Sequence, residues 1–241
     1  MFRNLYFYTI FFVTLFPFYL AFILPVWTLR LLAKKETERF FVKRFSLYYF
    51  RFVMNLTGSR ITVKGFEHLP DSASDSICLV SNHQSYFDIL LIEAYIPFLV
   101  GFVAKKELGR LPILRTWMKE LGCVLIDRRS SRSAVEAISR GVASIKSGNP
   151  LVLFPEGTRS RSQKMNVIKP GSLKLAIRSQ ALIVPITINH SYKIYEESGR
   201  VKAADVSMII HEPISTASEE STSQELAEKL QKIIEGSLEE G

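Results

Sequence analysis

A histidine and an aspartate lie five positions apart in Ser-Asn-His-Gln-Ser-Tyr-Phe-Asp, residues 81–88. A neutral imidazole can take a proton from a hydroxyl while a carboxylate holds its other nitrogen. On one continuous helix His83 and Asp88 would lie about 140° apart and could not pair. They can pair if His83 lies on a turn after a strand, Ser85 is the N-cap, and Asp88 lies in the first helical turn. This arrangement predicts a general base.

The same segment has a purely structural interpretation. Ser85 and Asp88 have the spacing of a capping box, in which the two residues satisfy each other's backbone N–H groups. His83 can then be an ordinary loop histidine with its hydrogen bonds satisfied. On these residues alone, a catalytic pair and a helix start are equally well supported.

Two further polar segments follow apolar, strand-like runs. Residues 154–161 read Phe-Pro-Glu-Gly-Thr-Arg-Ser-Arg, where Gly157 permits a tight turn and Arg159 offers a planar fork for phosphate. Residues 105–112 carry three basic side chains. Either segment alone is also typical of a solvated basic loop. Because sites in open α/β sheets form at the carboxyl ends of strands, the three segments together predict a base beside a cationic phosphate site.

Short β-branched runs alternate with helical stretches from residue 59 onward, which predicts an α/β fold. Strands separated by single helices indicate a largely parallel central sheet of about seven strands, covered by helices on both faces. The predicted strands are Arg60–Lys64, Ser76–Ser81, Leu99–Ala104, Gly122–Ile126, Leu151–Phe154, Ile183–Asn189 and Val206–His211. The predicted helices are Tyr86–Tyr95, Pro112–Leu121, Ser133–Ile145, Ser172–Ser179 and Gln224–Glu235.

The N-terminal segment has no charged residue between Leu5 and Leu29. As a helix it would cover ~37 Å, against ~30 Å of bilayer hydrocarbon, and it is too long for the apolar region of a signal peptide. Pro17 and Pro25 can kink it, which favours a helical hairpin embedded in one leaflet over a straight span. If the segment spans, its flanking charges place the main body on the cytoplasmic face: Arg3 before it, and Arg30, Lys34 and Lys35 after it.

Residues 36–56 predict a second helix in which aromatic and basic side chains are mixed. This composition is typical of a helix at a membrane surface, although a helix packed on the domain core is the alternative. We expect four of its cations to face anionic headgroups: Arg39, Lys43, Arg44 and Arg51. The predicted organisation is a membrane-anchoring segment at 1–56 and a catalytic domain at 57–241.

The charge of the chain is unevenly distributed. The net charge is +8, but the body before Glu212 holds 29 basic and 15 acidic residues. So basic a body suggests a polyanionic partner: nucleic acid, an anionic membrane or a phosphorylated substrate. The uncharged N-terminal segment favours lipid over nucleic acid. Cys78 and Cys123 lie in apolar runs with no metal-ligand spacing and no disulfide framework, so we expect buried thiols and no metal site.

Taken together, the motifs resemble the 1-acylglycerol-3-phosphate acyltransferase (lysophosphatidic acid acyltransferase) family. The blocks occur in family order: N-H-x-x-x-x-D at 82–88, K-x-E-L at 105–108, G-x-x-x-I-D-R at 122–128, F-P-E-G-T-R-S at 154–160 and V-P-I at 184–186. They cover about residues 60–190. One departure is Ile-Lys-Pro-Gly at 168–171, where many members have Phe-Lys-Lys-Gly.

This resemblance implies that His83 takes the proton from the acceptor hydroxyl and that Asp88 orients His83. It also implies that five residues form the binding site for the acceptor phosphate: Lys105, Arg159, Glu156, Gly157 and Thr158. The implied acceptor is lysophosphatidic acid, the product phosphatidic acid, and the donor a thioester of coenzyme A or acyl carrier protein, with no cofactor. A two-helix N-terminal membrane anchor is also implied. Backbone N–H groups near Gly157 or at the helix start after His83 are candidate oxyanion donors.

Other functions use the same features. The acceptor can be another lysophospholipid or glycerol-3-phosphate, or it can be water in a hydrolase. The sequence lacks a G-x-S-x-G nucleophile elbow, which argues against a serine hydrolase. A non-catalytic basic lipid-binding membrane protein is the alternative outside enzymes.

Overall fold

The computed structural model describes residues 2–70, 76–127, 131–216 and 222–239. The helices are α1 Phe2–Leu31, α2 Lys35–Leu56, α3 Phe87–Tyr95, α4 Pro112–Glu120, α5 Ser131–Lys146, α6 Pro170–Ser179 and α7 Ser223–Glu235. The strands are β1 Arg60–Lys64, β2 Ile77–Ser81, β3 Gly101–Lys105, β4 Val124–Ile126, β5 Leu151–Leu153, β6 Leu182–Asn189, β7 Asp205–Ile210 and β8 Ile214–Ser215. Short 3-10 helices lie at Phe66–His68, Lys106–Arg110 and Ser191–Ile194.

The strands form one sheet in the order β1-β7-β6-β2-β5-β3-β4, with β8 also beside β6. Every pairing is parallel except those of β6 with β7 and β8. The predicted α/β fold with a largely parallel sheet is confirmed. The additional strand β8 has two residues, too few for a repeating pattern to reveal it in the sequence.

Strand β2 lies at the middle of the sheet and shows why both faces are covered. All five of its residues are buried. Ile77 and Leu79 pack in the cluster that includes residues of α1, α2, α3 and α4, whereas Cys78 and Val80 pack in the cluster of α5, α6 and α7. A continuous apolar strand is the pattern of a parallel sheet between two helical layers.

Several boundaries differ from prediction by one or two residues, and two of these differences have a local backbone reason. Gly122 has a φ of 75°, a left-handed conformation that suits the turn after α4, so β4 starts two residues later than predicted. Helix α6 starts at Pro170 rather than Ser172. Proline is well suited to the first helical turn because it has no N–H to leave unpaired there.

Helix α1 lies along the α/β domain instead of standing apart from it. Near its N-terminus, Asn4 accepts a hydrogen bond from the Val201 N–H at 2.7 Å. Near its C-terminus, Arg30 pairs with Glu120 at 2.6 Å. Among the described residues one helical stretch, Asn4–Leu31, is long and apolar enough to cross a membrane. Its outward side carries large exposed apolar residues, among them Leu5, Phe12, Val13, Phe16, Leu24 and Trp27.

The prediction that the α2 cations face headgroups is wrong for Lys43. This side chain is buried, its Nζ donates to the Glu93 carbonyl at 3.1 Å, and it lies 3.8 Å from the Glu93 carboxylate. Arg51 is exposed, but it also contacts the protein: its Nε donates to the Ala94 carbonyl at 2.7 Å, and its guanidinium lies over the Tyr95 ring. The physical reason is that α2 packs on α3 along this side. Arg39 and Arg44 are exposed as well.

Candidate active site

The turn between β2 and α3 brings His83 and Asp88 together. His83 Nδ1 lies 2.7 Å from Asp88 Oδ2, and Asp88 is fully buried while the His83 side chain is 15% exposed. Because a carboxylate only accepts, we assign the proton to Nδ1. The lone pair of Nε2 is therefore free, and this nitrogen has no hydrogen-bond partner among the described residues. The arrangement can take a proton from a hydroxyl.

Asp88 also organises the start of the helix. Its Oδ2 accepts the backbone N–H groups of Gln84 at 2.7 Å and Ser85 at 2.8 Å, and its Oδ1 accepts the Ser191 hydroxyl. The Ser85 hydroxyl in turn accepts the Phe87 N–H at 3.0 Å. Only one half of the predicted capping box is therefore present: Asp88 accepts the Ser85 N–H, but the Ser85 hydroxyl accepts the N–H of Phe87 and not that of Asp88. The Asp88 oxygen that accepts the Ser85 N–H is the one that holds His83. The N-cap itself is Tyr86, one residue later than predicted.

The segment after β5 fixes His83 from the other side. The imidazole stacks on the Phe154 ring with centroids 4.0 Å apart and an interplanar angle of 17°. The His83 N–H donates to Glu156 Oε1 at 2.6 Å, and the His83 carbonyl accepts the Ser160 N–H at 2.7 Å. Two backbone contacts and one ring contact therefore hold the base against residues 154–160.

The buried side chain of Glu156 connects two loops by hydrogen bonds. It is 1% exposed, and its Oε2 accepts the Asn166 N–H at 2.7 Å. Burial raises the pKa of this carboxyl, and the N–H groups of Asn166 and His83 lower it in part. Gly157 adopts the predicted tight turn, with a φ of 78° and its N–H on the Phe154 carbonyl.

Arg159 lies beside this turn and is held by neighbours from two other segments. Its Nη1 donates to Glu196 Oε1 at 2.8 Å, and its guanidinium carbon lies 3.4 Å from the centroid of the Tyr86 ring. Lys105 lies exposed at the carboxyl end of β3, which β5 separates from β2. Hydrogen bonds thus connect four of the predicted site residues into one network: His83, Asp88, Glu156 and Arg159. Lys105 lies at the edge of the site.

Most of the predicted oxyanion donors are already occupied. The backbone N–H groups of residues 83–87 donate to Glu156, Asp88, Glu196 and Ser85, and the Gly157 N–H donates to Phe154. The expectation for these groups is therefore wrong, because the same N–H groups build the turn. Within the described chain, the N–H groups of Thr158 and Arg159 donate to no residue.

Three residues of this network carry no signal in the sequence that we could identify: Gln84, Ser191 and Glu196. Ser191 donates to Asp88, and Gln84 Oε1 accepts the Ser191 N–H at 3.1 Å. Glu196 lies in a polar loop 35 residues beyond Arg161, where the last basic motif ends. Arg128, which ends one motif, lies outside the described residues. The described residues contain no group of three or more His, Cys, Asp or Glu side chains that could hold a metal ion.

Comparison with known proteins identifies the family of this chain. The family model described as Acyltransferase matches residues 60–189, more than half of the chain. The 1-acyl-sn-glycerol-3-phosphate acyltransferase BAT2 of Brassica napus chloroplasts is 33% identical over 159 residues, which cover 63% of this chain and 44% of that protein. The 1-acyl-sn-glycerol-3-phosphate acyltransferase of Helicobacter pylori is 36% identical over 118 residues, covering 48% and 50%. The chain thus spans about half the length of these relatives.

The likeness to one solved structure extends over nearly the whole chain. The crystal structure of the 1-acyl-sn-glycerophosphate (LPA) acyltransferase PlsC from Thermotoga maritima is similar with a TM-score of 0.86. It is 25% identical in sequence, and the similarity covers 98% of this chain and 93% of that one. The N-terminal helices are therefore included in the shared architecture.

Proposed function

Because this chain belongs to the acyltransferase family, we propose that it acylates the sn-2 hydroxyl of 1-acylglycerol-3-phosphate from an acyl thioester and yields phosphatidic acid. One observation carries this proposal: the 2.7 Å contact of His83 Nδ1 with Asp88 leaves Nε2 free at the carboxyl end of β2. The acceptor is the one for which the relatives are named, 1-acyl-sn-glycerol-3-phosphate, and acylation of its free hydroxyl gives phosphatidic acid. The donor is a thioester of coenzyme A or acyl carrier protein.

His83 removes the proton that the acceptor must lose. As Nε2 takes this proton, the hydroxyl oxygen attacks the thioester carbonyl carbon. The tetrahedral intermediate collapses with the thiolate as leaving group, and the imidazolium returns the proton to sulfur. No acyl-enzyme is required. General-base catalysis of this kind contributes roughly 10²–10⁴-fold, and Asp88 supports it by holding the Nδ1–H tautomer.

Arg159 is the best placed cation for the acceptor phosphate. One of its nitrogens is engaged by Glu196, so the remaining N–H groups of the fork are available for phosphate oxygens. Lys105 supplies a second positive charge at the same edge of the sheet. Gly157 and Thr158 shape the turn between the base and Arg159, and Glu156 braces it.

The backbone N–H groups of Thr158 and Arg159 are the available donors for the developing oxyanion. They belong to the turn that contacts His83, and they donate to no described residue. Donors that need no rearrangement stabilise the charge of a tetrahedral intermediate most effectively.

Residues 1–56 attach the enzyme to the membrane, and the exposed apolar side of α1 supports this. Because both ends of α1 are bonded to the α/β domain, the helix lies in one leaflet beside the active site. The cytoplasmic face suits a donor that arrives from water while the lipid acceptor arrives from the membrane.

A panel of acceptors and donors tests this function. Purified full-length chain in vesicles is given 1-acylglycerol-3-phosphate, other lysophospholipids, glycerol-3-phosphate or water as acceptor, with acyl-coenzyme A or acyl-acyl carrier protein as donor. We expect phosphatidic acid as the main product. Preferred turnover of another acceptor would transfer the assignment to that lipid, and release of free fatty acid alone would identify a hydrolase. Lipid binding without turnover would indicate a non-catalytic protein.

A further inference from the structure

Glu196 is a buried carboxylate that joins three parts of the site. It lies just after the 3-10 helix Ser191–Ile194, and its side chain is 3% exposed. Its Oε1 accepts Arg159 Nη1 at 2.8 Å and the Tyr86 N–H at 2.9 Å, while its Oε2 accepts the Ser85 hydroxyl at 2.6 Å. Both oxygens are thus occupied by the protein.

The contacts of Glu196 fix the Arg159 guanidinium on two sides. Oε1 binds one terminal nitrogen, and the same oxygen holds the backbone of Tyr86, whose ring lies 3.4 Å from the guanidinium carbon. Arginine has a long side chain with many rotamers, so holding it in place before the substrate arrives reduces the entropy lost on binding. The other guanidinium nitrogens donate to no described residue and stay available.

The same carboxylate is connected to the turn that carries the base. Ser85, which donates to Glu196, also gives its N–H to Asp88 Oδ2, the oxygen that holds His83. A displacement of Glu196 would therefore disturb Arg159 first and the histidine–aspartate pair only indirectly, through Ser85 and the helix start at Tyr86.

We infer that Glu196 is a positioning residue: it orients Arg159 for the phosphate of the acceptor without touching the acceptor itself. This inference rests on the proposed function. Because both Glu196 oxygens accept hydrogen bonds from the protein and the carboxylate is paired with Arg159, its charge is compensated and does not repel the phosphate as a free anion would.

The test is a double-mutant cycle between Glu196 and Arg159. We measure kcat and both KM values for wild type, Glu196→Gln, Arg159→Ala and the double variant, with the neighbouring exposed Glu197→Gln as matched control. Glu196→Gln should raise the acceptor KM about tenfold or more, because it removes the negative charge that makes the hydrogen bond to Arg159 strong, with kcat and donor KM within about twofold. In the Arg159→Ala background the same change should add about twofold or less.

The outcomes separate this inference from the proposed function. A wild type without turnover of 1-acylglycerol-3-phosphate would end the proposed function and this role with it. An active wild type in which Glu196→Gln leaves the acceptor KM unchanged, or multiplies the effect of Arg159→Ala, would overturn the inference alone. If Glu196→Gln lowers the melting temperature enough to prevent assay, Glu196→Asp takes its place in the cycle, because it keeps the charge and shortens the reach.

Discussion

Asn4 accepts a hydrogen bond from the Val201 N–H at 2.7 Å, which ties the first turn of α1 to the loop that carries Glu196. Its amide also donates to the Val201 carbonyl at 3.5 Å. A helix joined to the domain here and through Arg30 at its other end lies along the domain over its whole length. This relationship favours the embedded hairpin over a straight span.

Tryptophan quenching by brominated lipids tests the depth of α1. The chain has two tryptophans, Trp27, 58% exposed on α1, and Trp117, which is buried. Position 16 lies at the middle of α1 and is also exposed. If α1 lies in one leaflet, wild type and the Trp27→Phe/Phe16→Trp variant should both be quenched best by bromines near the headgroup.

The single change Trp27→Phe provides the control, because Trp117 is shielded from lipid and should not be quenched. Stronger quenching of the tryptophan at position 16 by deep bromines would show that α1 crosses the bilayer and would contradict the hairpin.

Arg159→Lys should raise the acceptor KM by about tenfold or more, since lysine reproduces neither the fork nor the stacking on Tyr86. Lys105→Ala should raise it less, because Lys105 lies at the edge of the site. Donor KM should change little in both. Steady-state kinetics with each substrate varied in turn measures these values, and the exposed Lys106→Ala serves as control. An effect confined to the donor KM would assign these cations to the phosphates of coenzyme A or the carrier.

Substitutions of the buried pair Lys43 and Glu93 should have non-additive effects on the free energy of unfolding. Lys43→Met leaves the buried Glu93 carboxyl without its cation, and such a loss costs about 3–5 kcal/mol at a pH at which that carboxyl is ionised. The double change Lys43→Met/Glu93→Leu should restore the free energy of unfolding to near wild type, because it removes both charges. Chemical denaturation of the three proteins measures this. Additive losses in the double variant would contradict the coupling.

Glu93 should also make stability depend on pH. Burial raises the pKa of Glu93 from 4.5 to about 7, and the nearby Lys43 only partly offsets this. Between these values the folded state binds more protons than the unfolded state, so its stability falls as pH rises. The melting temperature of wild type should therefore fall relative to that of Glu93→Gln between pH 5 and pH 8. Parallel curves for the two proteins would show that Glu93 does not titrate in this range.

The pairing that the sequence predicted from residue spacing is local. His83 and Asp88 lie within one segment, so the strand, the turn and the helix start determine their pairing. Glu196 and Ser191 reach this segment from more than a hundred residues away, and no spacing rule connects such positions. Only the order of strands in the sheet brings them together.

Lys43 shows the converse error. Its place among aromatic and basic residues is typical of a membrane surface, but its partner Glu93 lies on another helix, so the sequence pattern of α2 does not reveal the burial. The N–H groups of the turn are a similar case. Their partners Glu156 and Glu196 lie far along the chain, so the sequence does not show that these groups are already occupied.

The central claim is that His83, held by Asp88, is the base of an acyl transfer to a lipid hydroxyl. The most direct measurement is kcat for 1-acylglycerol-3-phosphate with wild type, His83→Ala and Asp88→Ala, with melting temperatures as a check on folding and His68→Gln as control. The account predicts a loss of at least ~10²-fold in each of the two dyad variants. Near-normal rates in both, with folding intact, would contradict it and leave Asp88 as a helix cap alone.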